Sequence, residues 1–190
     1  VVFANARHIS FPSDFFNLAL CGFMGWDDCF DFVNNQFTRL DKKAPEIYRV
    51  LKKGGRFVGC SWKEQEDLTW MESAMEKYYP ALLSDIEYQQ ERTIGMAHEN
   101  AHGYEIIFHS AGFRHIQVTT QETDCISTDE QEFWRQMEHL GWDVFFKKIE
   151  TVDKTILQEI KQAIFQDIQN HKHSDGIHFV KRVFYVTAIK

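Results

Sequence analysis

The most constraining feature of this chain is a pair of short apolar runs separated by a helical stretch. Residues 16–24 read FNLALCGFM and residues 56–62 read RFVGCSW. The first is nearly continuous hydrocarbon, and periodicity alone does not exclude a helix there. It fits a strand buried on both faces, as in a parallel sheet. Between the two runs, Asp27 and Asp28 can cap a helix whose apolar positions are Phe30, Val33, Phe37 and Leu40. Pro45 should end or restart it. A second short helix then runs from Pro45 through Ile47, Val50 and Leu51 until Gly54 and Gly55 stop it.

The rest of the chain continues the alternation. Residues 66–79 carry Leu68, Met71, Met75 and Tyr78 along one helical side. Residues 104–111 read as a helix closed by Gly112, and residues 114–121 alternate as a strand. Ser127 and Glu130 form a capping box for a helix through Phe133, Trp134, Met137 and Leu140. Ile156, Ile160, Ile164 and Ile168 place a core-facing stripe on a helix over residues 153–169. A polar turn at 171–175 leads into a β-prone run at 177–189. This order predicts an α/β chain with helices on a sheet and a last strand that can be antiparallel.

Composition narrows the function classes. The 190 residues hold 44% apolar and 26% charged residues, enough for one core plus a cap. The 28 acidic residues exceed the 21 basic ones, so nucleic acid is not an expected partner. No run is long and apolar enough to predict a membrane partner. Cys21, Cys29, Cys60 and Cys125 make no CxxC pair, and the expectation is reduced thiols in a cytoplasmic protein.

His98-Glu99-Asn100-Ala101-His102 matches H-E-x-x-H, the zinc-peptidase spacing when carried on a helix. Gly103 follows at once and is a poor helix former. Glu105 and Phe108 stand where the extended pattern needs Gly and a third His. The spacing alone therefore makes zinc chemistry the minor alternative, and no metal site is assigned.

Four segments carry a family resemblance. They are Ala4-Asn5-Ala6-Arg7-His8-Ile9-Ser10-Phe11-Pro12 with Phe15 to Leu20, then Glu46-Ile47-Tyr48-Arg49-Val50-Leu51-Lys52-Lys53-Gly54-Gly55-Arg56-Phe57, then Ile107-Phe108-His109-Ser110-Ala111-Gly112-Phe113, and the closing run Val183 to Lys190. In that order they resemble the class I S-adenosylmethionine-dependent methyltransferases, in particular the large group acting on small molecules. The resemblance implies a Rossmann-like methyltransferase sheet of order 3-2-1-4-5-7-6, with strand 7 antiparallel. Strands 3 to 7 would be present here, with helical cap insertions. It also implies S-adenosyl-L-methionine as cofactor and a small-molecule methyl acceptor as partner.

By position, the cofactor would meet Asn5, the backbone of Ala6, and Cys21, Gly22 and Phe23 at a strand's carboxyl end, where open α/β sheets bind ligands. Two departures stand out: Asn5 and Asn17 occupy positions where the family carries Asp. The amide oxygen of Asn5 can still accept a hydrogen bond. Trp26, Trp62 and Tyr104 are the expected substrate walls, and the catalytic base is unassigned among His102, Tyr104 and Glu105. Residues 1–125 and 177–190 would form the methyltransferase core, and residues 63–100 and 126–176 the cap that sets substrate choice.

The family's Gly-rich cofactor loop has no counterpart in these residues, and Val1 aligns with the end of strand 3. An exposed edge at the next strand would invite pairing with a second copy, a homodimer. The rival without catalysis is an inactive methyltransferase-like binding or scaffold protein.

Overall fold

A computed structural model describes residues 5–79 and 99–190. Their strands are β1 (Phe16–Gly22), β2 (Phe30–Asp31), β3 (Gln36–Phe37), β4 (Leu51–Gln65), β5 (Arg114–Ser127), β6 (Lys172–His173) and β7 (Gly176–Ile189). The α-helices are α1 (Lys43–Val50), α2 (Glu66–Glu76), α3 (Ala101–Ser110), α4 (Glu130–Met137), α5 (Asp143–Val152) and α6 (Lys154–Asp167). The described residues pack as two compact units: 5–64, 99–122 and 182–190 make the first, 65–79 and 123–181 the second.

The main sheet runs β1-β4-β7-β5. β1 and β4 pair in parallel, with Leu20 opposite Val58 and Gly22 opposite Cys60. At one end of β4 the Gly54 amide donates to the Lys190 carbonyl and the Lys190 amide to the Gly55 carbonyl, and Arg182 reaches Glu64 toward the other, so β7 is antiparallel to β4. Arg182 also pairs with Glu122 and His178 with Asp124, which makes β5 antiparallel to β7. The chain is therefore α/β with a mixed sheet. Its order and directions are those the resemblance implies for strands 4, 5, 7 and 6.

In the first unit the core gathers Phe57, Phe184 and Val186 from the sheet with Ile47 of α1 and Ile107 and Phe108 of α3. A glycine inside α3 is explained here. A Cβ on Gly103 would meet the Phe32 ring at 2.5 Å and the Phe30 ring at 2.8 Å, so its absence lets the helix close onto those rings.

The second unit is built on Met71, Met75, Phe133, Trp134, Ile160, Ile164, Ile168 and Phe179. The isoleucine stripe expected of α6 faces this core, and Asp153 caps the helix through the Thr155 amide. Helix α5 has no counterpart in the sequence reading.

Four local expectations are corrected. No helix forms across residues 28–40. Asp31 accepts the amides of Val33 and Asn34, and Asn35 takes a left-handed φ of 50°, so a turn closes the β2–β3 hairpin instead. Gly54 and Gly55 do not end α1. The helix ends at Val50, and the glycines sit within β4, where the register to β1 shifts between Phe16 and Leu18. Asp129, not Ser127, caps α4 by accepting the Glu132 amide, while Ser127 bonds Gln136. β1 is not buried on both faces: Leu18 and Leu20 are 48% and 74% exposed, because it ends the described sheet.

Candidate functional site

The candidate site lies in the first unit. The carboxyl ends of β1 and β4 are tied by the Phe23 amide, which donates to the Cys60 carbonyl at 2.8 Å. Phe23 leaves β1 with φ of 51°, a left-handed conformation costly for an aromatic residue. Its ring stacks on Trp62 at 4.3 Å, and both rings are partly exposed. Beside them Gly22 has no steric need to be glycine. An added Cβ would find only Cys60 Sγ, at 4.0 Å. The strand end is thus open where a ligand would approach.

The loop that follows β1 is trussed by charge. Lys43 donates to the Gly25 carbonyl and to Asp28, each at 2.5 Å. Arg39 and Arg7 complete a cluster of three cations around Asp28. The Arg7 contact links residues 5–11 to this loop. Asn5 sits at the start of that segment with its Oδ1 accepting the Arg7 amide at 2.9 Å, and Ala6 lies in the same turn. One acceptor lone pair of Asn5 remains for a ligand amine.

The Glu46–Arg49 pair of α1 explains why those residue types stand in the second motif. Glu46 accepts the Ile9 amide at 2.9 Å, and Arg49 donates to the carbonyls of Ile9 and Phe11 at 2.8 Å. The Arg49 guanidinium holds the Glu46 carboxyl down at about 2.

The residue that joins the parts is Glu99, which the sequence singled out only as the glutamate of the H-E-x-x-H alternative. Glu99 accepts the Trp26 amide through Oε1 at 3.2 Å, and its Oε2 accepts the hydroxyls of Ser61 and Tyr104. One carboxylate thereby fastens the loop after β1, the end of β4 and α3. Glu99 lies before the helix, which starts at Ala101 behind the Asn100 cap. Its oxygens are engaged by three donors, while His102 pairs with Glu105 at 3.5 Å. His98 and the cap residues 80–98 lie outside the described residues.

Of the expected site residues, Cys21, Trp26 and Tyr104 converge with Gly59 and Cys60 on a narrow cavity of about 10 Å³. That is room for about one water. Trp26 and Tyr104 are 3% and 1% exposed, so they form its buried floor, whereas Phe23 and Trp62 face outward.

Burial and the neighbouring Glu99 push the Tyr104 hydroxyl far above its ordinary value, so it stays protonated and donates. Burial also raises the Cys21 thiol, and lifts Cys29 to about 11. Neither is a thiolate near neutral pH. The four cysteines are free. No described helix is long and apolar enough to cross a membrane.

No family model and no curated protein matches the sequence. Solved structures similar in fold include the YcgJ protein of Bacillus subtilis, 16% identical, with 98% of this chain aligned to 69% of that one at a TM-score of 0.48. An S-adenosylmethionine-dependent methyltransferase of Archaeoglobus fulgidus is 12% identical over 100% of this chain and 66% of its own, at 0.42. Phosphoethanolamine N-methyltransferase 2 of Haemonchus contortus, solved with phosphomonomethylethanolamine and S-adenosylhomocysteine, is 16% identical, and this chain covers 36% of it at 0.41.

Proposed function

We propose that this chain acts as a class I methyltransferase that uses S-adenosyl-L-methionine to methylate a small molecule. The observation that carries the reading is the order β1-β4-β7-β5 with β7 reversed, joined to an open glycine and a strained aromatic residue at the end of β1. Asn5, Ala6, Cys21, Gly22 and Phe23 are the residues that would hold the cofactor, whose sulfonium supplies an activated methyl group when bound.

The chain's own residues then bind, orient and exclude water, which is most of what such a transfer asks of a protein. Asn5 offers an acceptor to the adenine amine. The Phe23–Trp62 stack presents an apolar wall. Tyr104, kept protonated, orients through hydrogen bonds and does not take a proton. No residue is assigned as base. The second unit, inserted twice into the chain of the first, is assigned the choice of acceptor.

Calorimetric titration of S-adenosylhomocysteine into the full-length protein tests the reading. Binding with Kd on the order of micromolar is expected, equivalent to about 8 kcal/mol. Absence of binding at millimolar ligand would overturn it in favour of a scaffold role.

A further inference from the structure

Two carboxylates stand at the ends of β1 and β4, and their surroundings differ in kind. Asp28 is ringed by three cations, Arg7, Arg39 and Lys43, which outnumber its single charge. Glu99 is held by a backbone amide and two hydroxyls, all uncharged. Among the described residues no cation pairs with it. Neutral donors fix a carboxylate in place and leave its charge standing. A fixed negative charge with no cation bonded to it, held against the Trp26 and Tyr104 that line a partly desolvated cavity, acts on a nearby cation more strongly than it would in water.

We propose that Glu99 is a positioning residue whose charge makes the strand-end site prefer a sulfonium ligand over the matching thioether. The inference rests on the methyltransferase reading and adds a specific electrostatic element to it. Chemically, the device favours the charged methyl donor over its product, S-adenosylhomocysteine. Transfer of the methyl group to a nucleophile converts the sulfonium to a neutral thioether, and the acceptor's proton passes to solvent or to a base not assigned here. The attraction therefore weakens when the reaction is complete, and product release is favoured.

The test is a pair of titrations on the full-length protein, one with S-adenosyl-L-methionine and one with S-adenosylhomocysteine, for the wild type, Glu99→Gln and Glu99→Asp. Glu99→Gln keeps an acceptor for the Trp26 amide and can still pair with both hydroxyls. It should weaken the sulfonium ligand on the order of tenfold and the thioether by much less. Glu99→Asp keeps the charge and should retain the preference, as should Tyr104→Phe, which removes a donor only. Far-ultraviolet circular dichroism checks that each variant is folded. If Glu99→Gln does not fold, a preference retained in Tyr104→Phe and Glu99→Asp still supports the proposal, and its loss in either overturns it. Equal weakening of both ligands by Glu99→Gln reduces Glu99 to a structural clamp and overturns the inference while leaving the methyltransferase reading intact. Failure of the wild type to bind either ligand overturns both.

Discussion

In the first unit, segments with little apolar burial are fixed by charge: Asp28 gathers three cations, and Glu46 with Arg49 holds the backbone at residues 9 and 11. In the second unit, α2, α4, α5 and α6 are fixed by hydrocarbon, with Met71, Met75, Ile160 and Ile164 wholly buried. The difference teaches which physical lever moves which region. Contacts made by carboxylates answer to pH and salt, and packed isoleucines answer to lost volume. Loops that meet a ligand need defined geometry without a covering core, and charge-assisted hydrogen bonds supply it.

The largest expected effect lies in the hydrocarbon. Ile164→Ala should cost about 3 kcal/mol through its cavity. Hydrogen exchange should accelerate across residues 123–181 more than across 99–122. Equal acceleration in both would erase the distinction between the units.

Next is Glu46→Ala, which removes the Arg49 pair and the acceptor for the Ile9 amide. It should cost about 2 kcal/mol, read by chemical denaturation. The pH sign follows from the direction of the shift. Glu46 is lowered from 4.5 to about 2, so its contribution is full above pH 4.5 and is lost as pH falls toward 2. The wild type should therefore lose its advantage over the variant in that window, and a constant difference would contradict the ion-pair account.

Gly103→Ala sharpens the comparison from the packing side. Its new methyl meets two phenylalanine rings, so a cost of about 1–2 kcal/mol is expected despite the better helix propensity of alanine. A gain in melting temperature would refute the close-approach explanation.

The smallest effect belongs to His178 in the second unit. Asp124, then Asp175, raise it above 6.5. Its contribution is full below pH 6.5 and fades as pH rises through the raised value. His178→Gln should flatten that part of the melting-temperature profile. An unchanged slope would show that the two contacts are thermodynamically silent.

Much of the fold was legible where one physical signal dominated. The apolar runs marked β1 and β4, and the isoleucine stripe marked α6. The signal misled where two scales competed. Phe30, Val33, Phe37 and Leu40 mimic a helical face, but the side chain of Asp31 binds the backbone and turns the chain first. The strand end at Cys21, Gly22 and Phe23 was legible because strand ends can be located from apolar runs. Glu99 was hidden for a different reason. Its partners Trp26 and Ser61 lie 73 and 38 residues away, a pairing that no local spacing encodes. The H-E-x-x-H pattern offered Glu99 a role beside a zinc water, whereas its contacts are the Trp26 amide and the Ser61 and Tyr104 hydroxyls.

The central claim is that a ligand site lies at the carboxyl ends of β1 and β4. Hydrogen–deuterium exchange on the full-length protein, with and without S-adenosylhomocysteine, tests it most directly. The account predicts added protection in residues 5–9, 21–26, 59–62 and 99–104. Protection confined to residues 123–181, or no change at saturating ligand, would contradict it.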